Sequence, residues 1–453
     1  MQNPKLLSKK ITRPEIMKHY KILLAVFTLS AASYTSAADL MSIYALAERH
    51  DTQIRFATAN YHANRQVVPQ NRAALLPQLS ASLYASESDS DVADPMDVTN
   101  STETETHGNS INLRQSIYNH GHWQRLKQAN ASAAQAEADY NAARQELILR
   151  VAQAYFTVLA AIDNLEFAEA EKTSVGQQLE QAKQRFEVGL IAITDVKESQ
   201  ALYDQAVASE IQAANALSAS REALWGLTNH YPDTLKTLGE NLPLLTPDPE
   251  DKQQWVDKSL NENLSLLAAQ FGRVAAERNV GAQRSGHYPS LDLNANRNFS
   301  ETEGSNFPLQ ERTRTEVGIT LSIPIYEGGI VSARTKEAVF RRDAARENEE
   351  AVRRQVVQQA RNAYQNVIAD ISRVKALQQA LVSSQAAYEA TVAGFEVGTR
   401  NSVEVLVSLR NTFAAQRDYA QTRYDYLLDT LRLKQAAGNL SVADLQAINR
   451  WLQ

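Results

Sequence analysis

The sequence predicts a mixed α+β outer-membrane fold, in which four amphipathic β-strands per chain continue into coiled-coil hairpins of very long α-helices. Three observations carry that prediction. An N-terminal segment reads as an export signal. The rest of the chain is one pattern written twice, at an offset that stays between 208 and 212 residues. Each copy holds two period-two segments of about ten residues, the length and alternation of a membrane β-strand, beside a much longer helical pattern.

The export signal occupies residues 1–37. From Met17 onward it has a basic start (Lys18, Lys21), an apolar run over 22–32 and small residues ending at Ala37. Met17 begins a complete signal by itself, so residues 1–16 read as an extended basic region or as upstream of the true start. The apolar run is too short to cross a bilayer as a helix. No later stretch has 18 consecutive apolar residues, so an exported chain of this kind is either soluble or spans a membrane by strands. There is no cysteine, which excludes disulfides, Cys-type zinc sites and thiol catalysis. Without the first 37 residues, which carry six Lys/Arg and one acid, 40 basic and 51 acidic residues remain, a net charge of −11. That balance disfavours a nucleic-acid partner.

The first repeat covers 38–245. Residues 39–70 read as helix, with Leu40, Ile43, Leu46, Ala47 and Ile54 on its apolar face. Strands are predicted over 77–87, where Leu79, Ala81, Leu83 and Ala85 alternate with polar residues, and over 109–118, where Ile111, Leu113 and Ile117 do. Between them, 87–107 reads as a polar loop. A helix seam follows through Tyr140, Ala143, Leu147, Val151, Ala154, Val158, Ile162 and Leu165, stepping by three or four. It runs to Val188, for a length of roughly 100 Å. The pattern breaks at Gly189 and returns as helix to about 227, so the tip of a long hairpin falls at 186–196. Pro232, Pro243, Pro247 and Pro249 mark a linker.

The second repeat, 246–453, restates each landmark. It has a helix over 251–284, strands over 288–298 and 314–325 around a polar loop at 299–312, and a second seam through Val352, Val356, Ala360, Ala363, Val367, Ile371 and Val374. Its tip lies at 395–405, and a C-terminal helix ends the chain. Dissimilar landmarks recurring at one offset identify an internal duplication.

Four strands cannot close a barrel, and about eight close only around their own side chains. A water-filled lumen therefore requires at least three chains and twelve strands. The polar faces (Gln78, Ser80, Asn112, Arg114, Asp292, Asn294, Thr320) would line it. The alternative is a non-conducting exported coiled-coil tether that its β-segments merely anchor.

The two tips differ in charge. Arg400 stands where the first copy has Ile191, and Glu404 where it has Asp195. A guanidinium can bridge a carboxylate bidentately, so Asp195 and Arg400 suit a link between tips. His120-Gly121-His122 reads as a strand-to-helix turn, since an H-x-H without nearby acids is weak for a metal. Residues 87–105 hold seven acids and no Lys or Arg, and read as a solvated loop. No phosphate loop, G-x-S-x-G element or zinc signature offers a foothold for catalysis.

The segments RFEVGLIAITDV (185–196), VGTR (397–400), LLPQL (75–79) and SIPIYEGG (322–329) resemble the outer-membrane efflux protein family, over about residues 39–450. The resemblance implies a homotrimeric twelve-stranded outer-membrane barrel joined to a periplasmic α-helical barrel, with no enzymatic activity and no cofactor. An equatorial belt would form from the segments at 39–50, 228–260 and the C-terminus. It implies an exit duct for drug efflux and type I secretion in a Gram-negative bacterium. Its partners would be a periplasmic adaptor and an inner-membrane transporter of the RND, ABC or MFS type. Carried over by motif, the gate residues are Thr194, Asp195, Phe395 and Arg400, the cation-selecting ring is Glu404, and the adaptor-docking tips are Val188, Gly189, Leu190, Val397, Gly398 and Thr399. Two positions depart from the family. Phe395 replaces a tyrosine whose hydroxyl would bond the aspartate, and Val407 replaces a second ring acid.

Overall fold

The computed structural model describes residues 37–93, 99–305 and 307–453, so the predicted signal peptide, apart from Ala37, lies outside the described residues. Three short helices come first: α1 (Leu40–His50), α2 (Thr52–Arg65) and α3 (Val67–Ala73). Strands β1 (Gln78–Ala93) and β2 (Thr99–Tyr118) lead into the hairpin of α4 (His120–Glu187) and α5 (Ile193–Thr228). The second half repeats this order with α6 (Lys252–Glu262), α7 (Leu264–Arg284), β3 (Ser290–Gly304), β4 (Phe307–Ser322), α8 (Ile330–Glu396) and α9 (Ser402–Ala436). It closes on α10 (Val442–Asn449).

The strands form one sheet in the order β1-β2-β3-β4, antiparallel throughout. Its register gathers the alternating residues of all four strands onto common faces. One row runs Leu79, Leu113, Ala295, Val317, and the adjoining polar row runs Gln78, Arg114, Asn294, Gly318. On the polar face Asn296 donates to Asn112, Ser82 pairs with Ser110 at 2.8 Å, and Arg114 lies 3.8 Å from Asp292. On the other face Leu79, Leu83, Val317, Ile319 and Leu321 are exposed, with no second layer among the described residues to cover them.

The strands run further than the apolar alternation suggests. Most of the described residues in the segments expected as polar loops, 87–107 and 299–312, continue as strand. The reason is visible in Thr102-Glu103-Thr104-Glu105-Thr106. β-Branched threonine favours extended backbone even when both faces are wet, and Thr106 meets Thr302 across the strands at 3.3 Å. An expectation built on apolar alternation does not see such a segment.

Helices α4 and α8 are 68 and 67 residues long, about 100 Å each. Propensity alone does not hold so long a helix in one shape; packing of a buried face does. The main core sits near mid-length. There Leu147, Val151, Tyr155, Phe156 and Leu159 of α4 meet Val367 and Ile371 of α8 and Tyr424, Leu427 and Leu431 of α9. One stretch of α4 is apolar enough by composition to cross a membrane, but more than half of it is buried inside this chain.

The segments at 38–50, 229–262 and 437–453 gather around this core. Ala38 bridges Leu235, and Leu238 bridges Leu452. The buried Tyr155 hydroxyl donates to the Lys236 carbonyl at 2.7 Å. Asp51, itself buried, caps α2 through the Ile54 N–H at 2.7 Å and takes a two-pronged contact from Arg150 at 2.9 and 3.0 Å. Burial works against its charge, but these donors hold its carboxyl below the usual range.

One buried group of the same region is strained by charge. Asp370 of α8 packs beside Asp429 of α9, which Arg432 holds at 2.7 Å, and one Asp370 oxygen is buried without a partner. Burial first, and then the Asp429 charge and hydrogen bond, push Asp370 up to about 6. Asp425 adds to the rise and Arg373 opposes it. The folded state therefore binds a proton that the unfolded state has released. This contribution to stability is present at low pH and lost as pH rises through about 6. Asp370→Asn is expected to keep the hydrogen bond without the charge. It should melt at a higher temperature than the parent at pH 7.5 and lose this part of the difference between pH 5 and pH 7.5. Thermal melts of the detergent-extracted protein at both pH values check this.

Candidate functional site

The far ends of the two hairpins are one backbone motif used twice. After α4, Gly189 takes φ +77°, its N–H donates to Phe186 at 2.9 Å, and the Leu190 N–H donates to Arg185 at 2.9 Å. After α8, Gly398 takes φ +80°, with the matching bonds to Phe395 at 3.1 Å and from Thr399 to Gly394 at 2.9 Å. This double bond pattern closes a helix by satisfying its last carbonyls, and its left-handed residue suits glycine.

The restarts differ. The N-cap of α5 is Ala192, whose methyl cannot accept a hydrogen bond, whereas the Asn401 side chain at the N-cap of α9 accepts from the Glu404 N–H at 2.8 Å. The Thr399 hydroxyl adds a bond to the Gly394 carbonyl at 3.0 Å. Asp195 and Glu404 both lie in the first turn of their helices, where the helix dipole favours an anion.

Arg400, just before α9, reaches Glu404 in the first turn of that helix at 2.8 Å and does not reach Asp195 of its own chain. The stem of Arg400 folds over Gly394, where a Cβ would come within 2.8 Å of it. Asp195 and Thr194 have no side-chain partner among the described residues. Val188, Leu190 and Val397 are each more than 70% exposed, so both tips present bare apolar side chains. Val407, in the second turn of α9, is exposed as well.

Two contacts between the hairpins were not read from the sequence. The guanidinium of Arg185, at the end of α4, lies over the Phe395 ring at the end of α8, 4.2 Å from its centroid. Higher up, the buried Glu171 of α4 takes Arg417 at 2.9 Å and Arg410 at 3.8 Å, both from α9. A signal for the second existed. Ala168, Glu171, Val175, Leu179 and Ala182 step along one buried stripe, and an acid on such a stripe needs a cation. Small apolar clusters fill the space between these contacts, one around Val175, Leu406 and Leu409 and one around Leu179, Ala182 and Val196. His120 and His122 sit where β2 passes into α4. His120 contacts Gln124 at 3.0 Å and meets the Tyr288 ring edge-on.

The family model for outer membrane efflux proteins matches residues 43–230 and 255–439, one block in each repeat. The chain belongs to this family. It is 39% identical over 432 residues to outer membrane protein TolC of Vibrio cholerae, a match that covers 95% of this chain and 97% of that one. It is 28% identical to the alkaline protease secretion protein AprF of Pseudomonas aeruginosa, covering 94% and 90%. Among solved structures, the Campylobacter jejuni CmeC outer membrane channel superposes with a TM-score of 0.77 at 15% identity, over 100% of this chain and 98% of that one. The fold is therefore that of the family's outer-membrane channels, and the chain is an outer-membrane protein of a Gram-negative bacterium that serves as an exit duct.

The Asn401 cap predicts a local effect. Asn401→Ala is expected to cost about 1 kcal/mol at the start of α9. It should speed amide hydrogen exchange at Val403 and Glu404 by roughly fivefold while leaving α4 unchanged. Exchange measured by mass spectrometry on peptides from 395–410 and 140–160 checks this.

Proposed function

We propose that three copies of the chain close a twelve-stranded barrel whose polar face lines the lumen, and that the long hairpins extend this lumen as a periplasmic tunnel gated at the tips. The observation that carries the reading is the sheet itself. Its register puts the polar residues of four strands on one face and the apolar ones on the other. Within the chain, both β1 and β4 are free along one edge. Open edges beside an uncovered apolar face suit closure against identical sheets within lipid, and four strands alone do not close.

At the tips, Thr194, Asp195, Phe395 and Arg400 form the proposed gate. Among the described residues Asp195 has no side-chain partner and Arg400 pairs with Glu404 through an exposed contact, so a neighbouring copy's tip can offer each of them a partner. An exposed pair of this kind contributes at most about 1 kcal/mol, which leaves Arg400 free to exchange partners. Glu404, three times per trimer, forms the cation-selecting ring, without a second acid at Val407. Val188, Gly189, Leu190, Val397, Gly398 and Thr399 form the docking tips for a periplasmic adaptor, whose small helical ends would cover the exposed valines and leucine. An inner-membrane transporter of the RND, ABC or MFS type would supply the cargo, drugs in efflux and proteins in type I secretion. A relative named for alkaline protease secretion favours including the latter.

Planar-bilayer recording tests the duct. Arg400→Ser is expected to raise single-channel conductance and to admit antibiotic-sized solutes in cells. Unchanged conductance in a folded oligomer counts against the Arg400 lock, and no conductance from either form sinks the duct itself. Glu404→Ala is expected to shift the reversal potential in a salt gradient toward weaker cation preference and to weaken block by multivalent cations. Identical reversal potentials would rule out the ring.

A further inference from the structure

We propose that Arg185 is the residue that latches the second hairpin to the first, by holding its guanidinium over the Phe395 ring, and that this contact helps set the resting aperture of the tips. The proposal rests on the duct reading above. It starts from where the two groups sit. Arg185 is in the last turn of α4 and Phe395 in the last turn of α8, with 4.2 Å between guanidinium carbon and ring centroid. Both side chains are half-buried. α4 packs mainly on α5, α7 and α9, and α8 mainly on α7 and α9, so these two helices make little direct contact of their own. The contact therefore ties two ends that the helix packing leaves apart.

The other arginines on the tip side of the hairpins are already engaged. Arg400 is on Glu404, and Arg410 and Arg417 are on Glu171. Arg185 has no ion pair among the described residues, and the aromatic face is what its cation meets. The duplication makes the contact one-way. The residue of the second tip equivalent to Arg185 is Gly394, so among the described residues no matching cation covers Phe186, which stays exposed. A phenyl ring lacks the hydroxyl with which a tyrosine could hold a carboxylate, but it keeps a face that a cation can cover. The attraction is confined to about 6 Å from the centroid, so outward movement of one tip past the other by a few ångström breaks it.

The test uses the full-length oligomer in planar bilayers, with Arg185→Met (similar reach, no charge), Arg185→Lys, Phe395→Leu and the Met/Leu double variant. Arg400→Ser is the control for the duct reading. Arg185→Met and Phe395→Leu are each expected to raise resting conductance about fivefold. The double variant should exceed neither by more than about twofold, because both remove the same contact. Arg185→Lys keeps a cation for the ring and should return conductance toward the parent value, which a merely space-filling role would not do. If Arg400→Ser raises conductance while Arg185→Met and Phe395→Leu do not, the latch is wrong and the duct stands. Additive effects in the double variant, or a lysine variant as leaky as the methionine one, also overturn it. If no form conducts, the duct reading fails and the latch with it. Should Arg185→Met not assemble, Phe395→Leu and Arg185→Lys decide the question in the same recordings.

Discussion

A helix of about 100 Å is held in place by whatever it can bury, and here the burial is unevenly distributed. Most of the large, almost fully buried side chains of the long helices, among them Tyr155, Phe156, Leu147, Leu159, Leu427 and Leu431, lie near mid-length. The flanking segments, which belong to neither hairpin, wrap this level and lock it through Asp51 with Arg150 and Tyr155 with the Lys236 carbonyl. Toward the tips the core thins to clusters of three buried side chains. The rigid part is the middle, and the ends are governed by single contacts of about 1 kcal/mol each. Interactions of that size can be made and broken without unfolding anything, which suits an end that opens.

Glu171 marks the boundary between the two regimes. It is a buried carboxylate held by two arginines from the opposing hairpin. Removing either cation would leave a charge without full compensation, so this contact resists separation far more strongly than an exposed pair does. Its distance from the end of α4, 16 residues, is about 24 Å of helix. Below that level, the Arg185–Phe395 stack is the ring-and-cation contact that bridges the hairpins. Movement of one tip relative to the other would then pivot about Glu171 rather than about the membrane end of the tube.

Much of this was legible in the sequence because it follows from periodicity. The seams through Val151 and Val367 fall where steps of three and four put them, and both tip glycines sit in the left-handed conformation expected of them. The strand ends were not legible from apolar alternation, since alternating threonine and glutamate extends a strand without an apolar face. At the tips, spacing alone offered Arg400 to Glu404, four residues apart across the start of α9. The matching of charges between the two copies pointed instead to Asp195. That contact requires another tip to come near, and no one-dimensional pattern carries such a distance. Arg185 with Phe395 was hidden for the same reason, with 210 positions separating the pair and its aromatic partner offering no charge to match.

The duplication also explains how a symmetric scaffold produces unequal tips. Both hairpins inherit the same turn, but the second has an asparagine cap, a threonine hydroxyl on the last carbonyl and an arginine folded over a glycine. The first has an alanine at the cap position and spends its arginine on the neighbouring hairpin. The second tip is thus internally well fixed and externally held by few groups, while the first supplies the groups that hold it. A body that is locally rigid and weakly tethered moves as a unit, so displacement concentrates at its tethers rather than spreading along the helices. On that argument, substitutions in Arg185 and Phe395 alter how far the second tip moves, whereas substitutions in Asn401 alter only how well its own first turn is formed.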